Sequence, residues 1–209
     1  MSAGTLHLRA FAEIVAVVED TGRILDGAVR NGKTRDVETL RARLRRRLDD
    51  LVAKLEKQVS NDVLEGVLIP LVVFVDEVAQ TRLAREGGPE VPPWPLLQRD
   101  LDLLNEGDGG DELYERAAQL TLESKPEPLV VATYLHCFEA GFVGRHFDEP
   151  EEIRAWKEKL AKLLPEGAPP PAADTAPSER AHSALRYSLL ALGVAAGVHA
   201  LFALVSLLW

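Results

Sequence analysis

Apolar residues along most of the chain recur at three- and four-residue steps, which is the spacing of one face of an α-helix. The pattern is clearest between residues 40 and 59, where the apolar positions are Leu40, Leu44, Leu48, Leu51, Val52, Leu55 and Val59. The basic residues between them are Arg41, Arg43, Arg45, Arg46, Arg47, Lys54 and Lys57. This stretch therefore predicts an amphipathic helix with a basic outer face, which is either simply solvated or in contact with anionic lipid headgroups.

The same periodicity, read with the signals that begin and end helices, predicts the other elements. The predicted helices run from Leu6 to Val29, from Val63 onward, from Trp94 to Asn105, from Asp111 onward, from Pro126 through Phe138, and from Glu151 to Leu164. Leu68 to Val75 is apolar enough for a buried strand, but its helical flanks favour a buried helix that restarts or kinks at Pro70. Gly141 and Phe142 are expected to form a Schellman-like cap on the helix before them.

Residues 187–209 contain no charged side chain. As a helix this stretch would span about 34 Å, slightly more than a hydrocarbon core of about 30 Å, so we expect one transmembrane crossing. Arg180 and Arg186 precede it, which favours a cytoplasmic location for the N-terminal part. The predicted organisation is a helical domain over residues 1–164, a Pro- and Ala-rich linker over residues 165–180 and a C-terminal anchor over residues 181–209.

Within the predicted anchor, Gly193 and Gly197 form a GxxxG pair. Small residues at this spacing let two transmembrane helices approach closely. We therefore expect these glycines to support a homodimer.

Charge is distributed unevenly along the chain. Residues 1–60 hold 12 basic and 9 acidic side chains, whereas residues 61–164 hold 10 and 21, a net charge of −11. This acidity argues against a nucleic-acid partner and favours a protein partner with basic patches. The single cysteine, Cys137, permits no intramolecular disulfide and no Cys-based zinc site, and we expect it in the core.

The sequence offers no pattern typical of an active site. The glycine-rich residues 107–111 lack the lysine of a phosphate-binding loop and the spacing of a calcium loop. His136 and Glu139 would form half of a di-metal motif, but only once and in reversed order. We therefore expect neither catalysis nor a cofactor or metal. Asp76 and Glu77, directly after an apolar run, mark either a helix turning out to solvent or an acidic contact.

Three features in order carry a resemblance to a known family. They are Phe74-Val75-Asp76-Glu77, then Trp94 with Asn105-Glu106 ahead of Gly109-Gly110, and then the stretch from Tyr134 to Arg145 with its Gly-Phe-Val-Gly-Arg ending. Together with a C-terminal anchor, they resemble the DotU/TssL family, the inner-membrane component of type VI secretion systems, which is related to the IcmH/DotU proteins of type IVB systems.

The resemblance implies an all-α cytoplasmic domain of about seven or eight helices in two small bundles, followed by one transmembrane helix in the bacterial inner membrane. It implies a non-enzymatic scaffold that dimerises partly through its anchor. Its implied partners are a TssM-like membrane protein, a TssJ-like lipoprotein and a TssK-like baseplate protein. The resemblance implies that Asp76 and Glu77 lie by a cleft that contacts cytoplasmic partners. Asn105, Glu106 and Arg145 are predicted as further partner-binding residues.

The turn residues Gly141, Phe142, Gly144 and Arg145 match the family pattern and are expected to be structural, with Arg145 pairing with a carboxylate. The chain departs from the family pattern at Leu113 and Tyr114, after the double glycine, and at His146, where the family usually has tyrosine. We expect alanine at positions 76 and 77 to weaken partner recruitment without unfolding the domain. The alternative function is an unrelated tail-anchored adaptor that binds anionic lipid through the basic helix.

Overall fold

The computed structural model of the protein describes residues 3–86, 90–100, 109–123 and 125–165. Within these ranges the chain forms seven α-helices and one 3-10 helix, and it forms no strand. The α-helices are α1 (Ala3–Arg30), α2 (Val37–Leu55), α3 (Asn61–Glu86), α4 (Leu97–Asp100), α5 (Gly109–Leu122), α6 (Pro128–Glu139) and α7 (Pro150–Ala161), and the 3-10 helix spans Gly144–His146. The predicted all-α class is confirmed for the described residues.

The helix ends follow from local chemistry. Asp36 lies at the N-cap of α2, where its side chain accepts a hydrogen bond from the backbone N–H of Thr39. The turn between α1 and α2 contains Gly32 at a φ of +63°, a conformation that glycine adopts without steric cost. Pro128 opens α6, where its missing N–H costs no helical hydrogen bond.

The segment from Leu68 to Val75 is part of α3, so the buried-helix interpretation is confirmed and the strand alternative is wrong. α3 continues through Pro70 as one helix and buries every residue from Ile69 to Asp76. Glycine at position 66 allows α3 to pack closely on α6, since a Cβ there would stand only 2.9 Å from Cγ2 of Val130. The buried Cys137 thiol on α6 donates to the Pro70 carbonyl over 3.6 Å.

Six of the α-helices pack as two sets of three, and α4 packs on α3. α1, α2 and α3 contact one another, and so do α5, α6 and α7. α3 and α6 join the two sets, and the buried side chains of both form one connected apolar core. Residues on α3 therefore lie where the two sets of helices meet.

The C-terminal end of α6 has the cap that the sequence predicts. Gly141 has a φ of +105°, its N–H donates to the Phe138 carbonyl, and the Phe142 N–H donates to the Cys137 carbonyl. These two bonds define the Schellman motif. Phe142 is fully buried, so the cap also fixes where the chain goes next.

Several predicted features lie outside the described residues: Asn105, Glu106, all but the first residue of the predicted linker, the predicted anchor and its Gly193–Gly197 pair. Among the helices of the described residues, none is both long and apolar enough to cross a membrane.

Candidate functional site

Two adjacent carboxylates follow the buried part of α3 and hold two different loops. Consecutive helical side chains point roughly 100° apart, so Asp76 and Glu77 reach in different directions. The Asp76 carboxylate accepts hydrogen bonds from the Trp94 indole N–H (2.8 Å) and from the backbone N–H groups of Leu97 (2.9 Å) and Gln98 (3.0 Å). Asp76 therefore caps the N-terminus of α4 from a distant helix.

Asp76 is a buried group, with only 3% of its surface exposed. Burial raises the pKa of its carboxyl above the usual value, while the three hydrogen bonds and the nearby Arg41 charge act in the opposite direction. Arg41 also donates through Nε to the Pro95 carbonyl at 2.9 Å, in the same loop. The interpretation that the helix turns out to solvent at this point is wrong for Asp76.

Glu77 holds the turn that follows α6. Its carboxylate accepts hydrogen bonds from the backbone N–H groups of Val143 and Gly144, each at 2.8 Å. These two groups begin the 3-10 helix, so Glu77 caps the N-terminus of the 3-10 helix as Asp76 caps that of α4. Since Glu77 is half-buried, the two bonds are partly shielded from water.

Tyr114 on α5 supports the same turn from the other side. Its ring is fully buried and its hydroxyl donates to the Val143 carbonyl at 2.9 Å. Gly144 adopts a φ of +50°, and a Cβ there would lie 2.9 Å from Cζ of Phe142 and 3.1 Å from the Tyr114 ring. Glycine at this position therefore satisfies both the backbone conformation and the space between two rings.

Arg145 extends from the turn across the N-terminal part of α5. Its guanidinium lies 3.5 Å from the Asp111 carboxylate and 5.2 Å from the centre of the Tyr114 ring. Asp111 is thus the carboxylate that Arg145 pairs with. His146 packs edge-on against Tyr114 with ring centres 4.6 Å apart, and its Nδ1 contacts Glu149.

Gln98 joins the α4 loop to the start of α5. A Cβ at Gly109 would stand 2.1 Å from Oε1 of Gln98, so the end of the Gln98 side chain would have to move to admit any other residue. The first glycine of the double-glycine motif therefore packs against the loop that Asp76 holds. The three motifs identified in the sequence meet around the C-terminal half of α3.

We call this group the motif cluster; it consists of Asp76, Glu77, Trp94, Gln98, Gly109, Tyr114, Gly144 and Arg145. Sequence reasoning named the acids, the tryptophan, the glycines and the arginine, but it assigned no role to Gln98 and treated Tyr114 only as a departure. A buried tyrosine hydroxyl needs a partner, and that rule was the available signal for Tyr114. Asn105 and Glu106 cannot be placed relative to the cluster, because they lie outside the described residues.

Three of the basic side chains on the outer face of α2 pair with acidic residues of the protein. Arg45 lies 2.8 Å from Asp49 and Lys54 lies 2.6 Å from Glu13, while Arg47 pairs with Asp20. Arg43 and Arg46 are exposed. Intramolecular pairing therefore reduces the positive potential that this face would offer to a lipid surface.

His136 and Cys137, the chemically reactive residues of α6, are both buried. Burial raises the pKa of the Cys137 thiol and lowers that of the His136 imidazole. The His136 ring packs edge-on against Phe11 on α1. Across the described residues, no group of three or more His, Cys, Asp or Glu side chains is placed to hold a metal ion.

Comparisons with known proteins place this architecture in a family. A family model described as type VI secretion system protein DotU matches residues 13–209. The curated proteins compared with the chain gave no match. The solved structure of DotU from Francisella novicida is similar, with a TM-score of 0.57 and 22% sequence identity, covering 71% of this chain and 96% of that chain. At this identity the structural likeness concerns the fold, whereas the family model covers most of the sequence. This chain therefore belongs to the DotU family of type VI secretion system proteins.

Proposed function

We propose that the protein is a non-enzymatic scaffold of the type VI secretion membrane complex. Residues 181–209 anchor it in the bacterial inner membrane, and the helical domain faces the cytoplasm. There the domain recruits a TssK-like baseplate protein, while a TssM-like membrane protein, with a TssJ-like lipoprotein where present, completes the complex. Membership of the DotU family supports the secretion role, and the uncharged stretch of residues 187–209 supports the anchor.

The observation that carries the recruiting role is that the motif cluster holds two loops in one place. Asp76 fixes the loop before α4 and Glu77 fixes the turn after α6. Binding is stronger when the contacting loops are held in the bound conformation beforehand, because less conformational entropy is lost. We propose that the docking surface consists of the turn over residues 143–147 and the N-terminal part of α5.

In this proposal the two carboxylates position the docking surface and do not themselves touch the partner. Asp76 has almost no exposed surface, and both oxygens of Glu77 accept backbone hydrogen bonds. Arg145 of the motif cluster and its partner Asp111 on α5 are both partly exposed, so a partner protein could reach them. Asn105 and Glu106 shortly precede Gly109 in the sequence, and we propose that they take part in partner binding as well.

Crosslinked pull-down from native membranes tests the proposal. The full-length protein should recover a TssM-like partner and baseplate proteins, as judged by mass spectrometry. Glu77→Gln introduces an amide N–H that faces backbone donors, so it should release the turn and lower the baseplate recovery. Glu65→Gln is the matched control, since Glu65 is exposed on the same helix. Recovery of the bait alone, or of proteins unrelated to secretion, would contradict the proposed function.

A further inference from the structure

Phe147 is a large aromatic side chain that the fold leaves in water, with 71% of its surface exposed. The other strongly exposed large apolar residues among the described ones are Leu8 and Leu122, which stand close to segments outside the described residues. Phe147 has described neighbours on both sides. Within the part of the chain that the structure describes, no aromatic ring packs against it.

Local helix chemistry does not explain this phenylalanine. A hydrophobic residue before a helix stabilises it when it occupies the position before the N-cap and packs on the fourth helical residue. The N-cap of α7 is Glu149, so that position belongs to Asp148. Phe147 is therefore not part of such a contact.

The turn that carries Phe147 is held on both sides. Before it, Val143 and Gly144 donate to Glu77, Val143 accepts from Tyr114, and the His146 N–H donates to the Val143 carbonyl at 3.1 Å. After it, the Glu149 N–H donates to the His146 carbonyl at 2.9 Å. An exposed aromatic ring on an ordered turn loses little conformational entropy on binding.

Acidic side chains follow Phe147 in the sequence. Asp148, Glu149, Glu151 and Glu152 are all exposed, and Glu151 pairs with Arg154. On the other side of Phe147, Arg145 is paired with Asp111. Glu151 and Glu152 lie in the first turn of α7, where they also favour the helix dipole, but Asp148 precedes that turn. The exposed segment that directly follows Phe147 is thus predominantly acidic.

We propose that Phe147 is the apolar anchor of the docking surface and that it inserts into an apolar pocket with a basic rim on another protein of the secretion machinery. This inference rests on the proposed function. It names the central residue of the docking surface and the chemistry of the partner site that receives it. Buried aromatic anchors dominate the energy of protein interfaces, and complementary rim charges contribute mainly to encounter rate and orientation.

Substitution and crosslinking at position 147 of the full-length protein test the inference. In pull-downs from native membranes, Phe147→Ala should lower baseplate recovery at least about tenfold, and Phe147→Leu should lower it less. The thermal midpoint should not change, since the side chain is exposed. Leu122→Ala, which removes another exposed apolar side chain, is the matched control and should recover the baseplate like the wild type.

A photoreactive phenylalanine analogue at position 147 then identifies the contact. The expected crosslink is to a peptide of a secretion protein that combines apolar residues with lysine or arginine. A crosslink to a second copy of this chain, or to an acidic peptide, would overturn the inference.

The two proposals fail differently. If Glu77→Gln lowers recovery and Phe147→Ala does not, the anchor role of Phe147 is wrong and the scaffold role stands. If the wild-type protein recovers no secretion component, both are wrong.

Discussion

Asp76 is a carboxylate that the fold buries and then surrounds with donors. Trp94, Leu97 and Gln98 all donate to it, so its removal would leave buried N–H groups without an acceptor. We expect Asp76→Ala to lower the free energy of unfolding by about 1–3 kcal/mol for each donor that water does not reach. Denaturant unfolding of the full-length protein, followed by tryptophan fluorescence, measures this loss. The sequence-based expectation that alanine at positions 76 and 77 does not unfold the domain stays a prediction, and the same measurement tests it.

Asp76→Asn sharpens the test at the same residue. The asparagine amide keeps one acceptor oxygen but turns an N–H₂ group toward an N–H donor. Asp76→Asn should therefore lower the free energy of unfolding by no more than Asp76→Ala does. Glu65→Gln on the same helix should change the unfolding free energy by less than about 0.5 kcal/mol. Wild-type stability in Asp76→Ala would contradict the capping role.

His136 provides a test that depends on pH. Its ring is 5% exposed, neither ring nitrogen has a hydrogen-bond partner within the described residues, and burial lowers its pKa from the usual 6.5 although the Glu19 charge opposes this. The unfolded chain therefore binds a proton at a pH where the folded protein does not. Stability should fall as pH decreases from about 6.5 toward the lower folded-state pKa, by at most about 1.4 kcal/mol per pH unit.

His136→Phe isolates that contribution, because it retains an aromatic ring against Phe11 and removes the titrating group. The difference in unfolding free energy between the variant and the wild type should widen in favour of the variant as pH falls through this range. Other titrating groups cancel in the difference. A difference that is constant between pH 7.5 and pH 5.5 would show that His136 is protonated as readily in the folded protein as in the unfolded chain.

At the scale of elements, the turn after α6 depends on two glycines for different reasons. Gly141 has a φ of +105°, and nothing beyond its chain neighbours lies within 4 Å of the point that a Cβ would occupy, so Gly141→Ala costs backbone strain alone, about 1–2 kcal/mol. Gly144→Ala adds a collision with the buried rings of Phe142 and Tyr114. Both variants should have lower thermal midpoints. Only Gly144→Ala should change the near-ultraviolet circular dichroism, because the rings must move.

A third glycine serves as the control for this pair. Gly22 lies inside α1 with nothing within 4 Å of a Cβ and without a positive φ. Gly22→Ala should therefore stabilise the protein by about 0.5–1 kcal/mol, the usual gain in a helix interior. If Gly141→Ala also stabilised the protein, the left-handed cap would not be the conformation in solution.

The elements that the sequence predicts well are those with short-range causes. The Schellman cap at Gly141 and Phe142 joins residues five positions apart or fewer, and the amphipathic pattern of α2 repeats within each turn. The predicted helix from Trp94 begins instead at Leu97. Trp94 precedes Pro95, which disfavours helical backbone, and the α4 N–H groups bind Asp76.

The roles of the two acids could not be read from the sequence, because their hydrogen-bond partners are far away along the chain. The groups that donate to Asp76 lie 18 to 22 residues away, and those that donate to Glu77 lie 66 and 67 residues away. Hydrophobic periodicity reports which face of a helix is buried, but it carries no information on which loop meets a buried carboxylate. The family motifs marked the residues without revealing that they hold loops.

At the scale of the molecule, α3 connects the core to the proposed docking surface. Its middle is buried where the two sets of helices meet, and its two carboxylates hold the loop before α4 and the turn after α6. The position of the docking surface is therefore set by the packing of the core. A partner that pulls on the turn would load α3 directly.

Dimerisation through the proposed anchor would present two such surfaces together. Two linked sites bind a multimeric partner more tightly than one, because the second contact forms at a high effective concentration. We expect Gly193→Leu combined with Gly197→Leu to reduce dimer crosslinking in native membranes and to lower baseplate recovery with it. Ala195→Leu is the matched control, since on a helix position 195 lies opposite the glycine pair. Undiminished dimers in the double variant would exclude the glycine face as the contact, whereas lost dimers with undiminished baseplate recovery would mean that each copy recruits its partner alone.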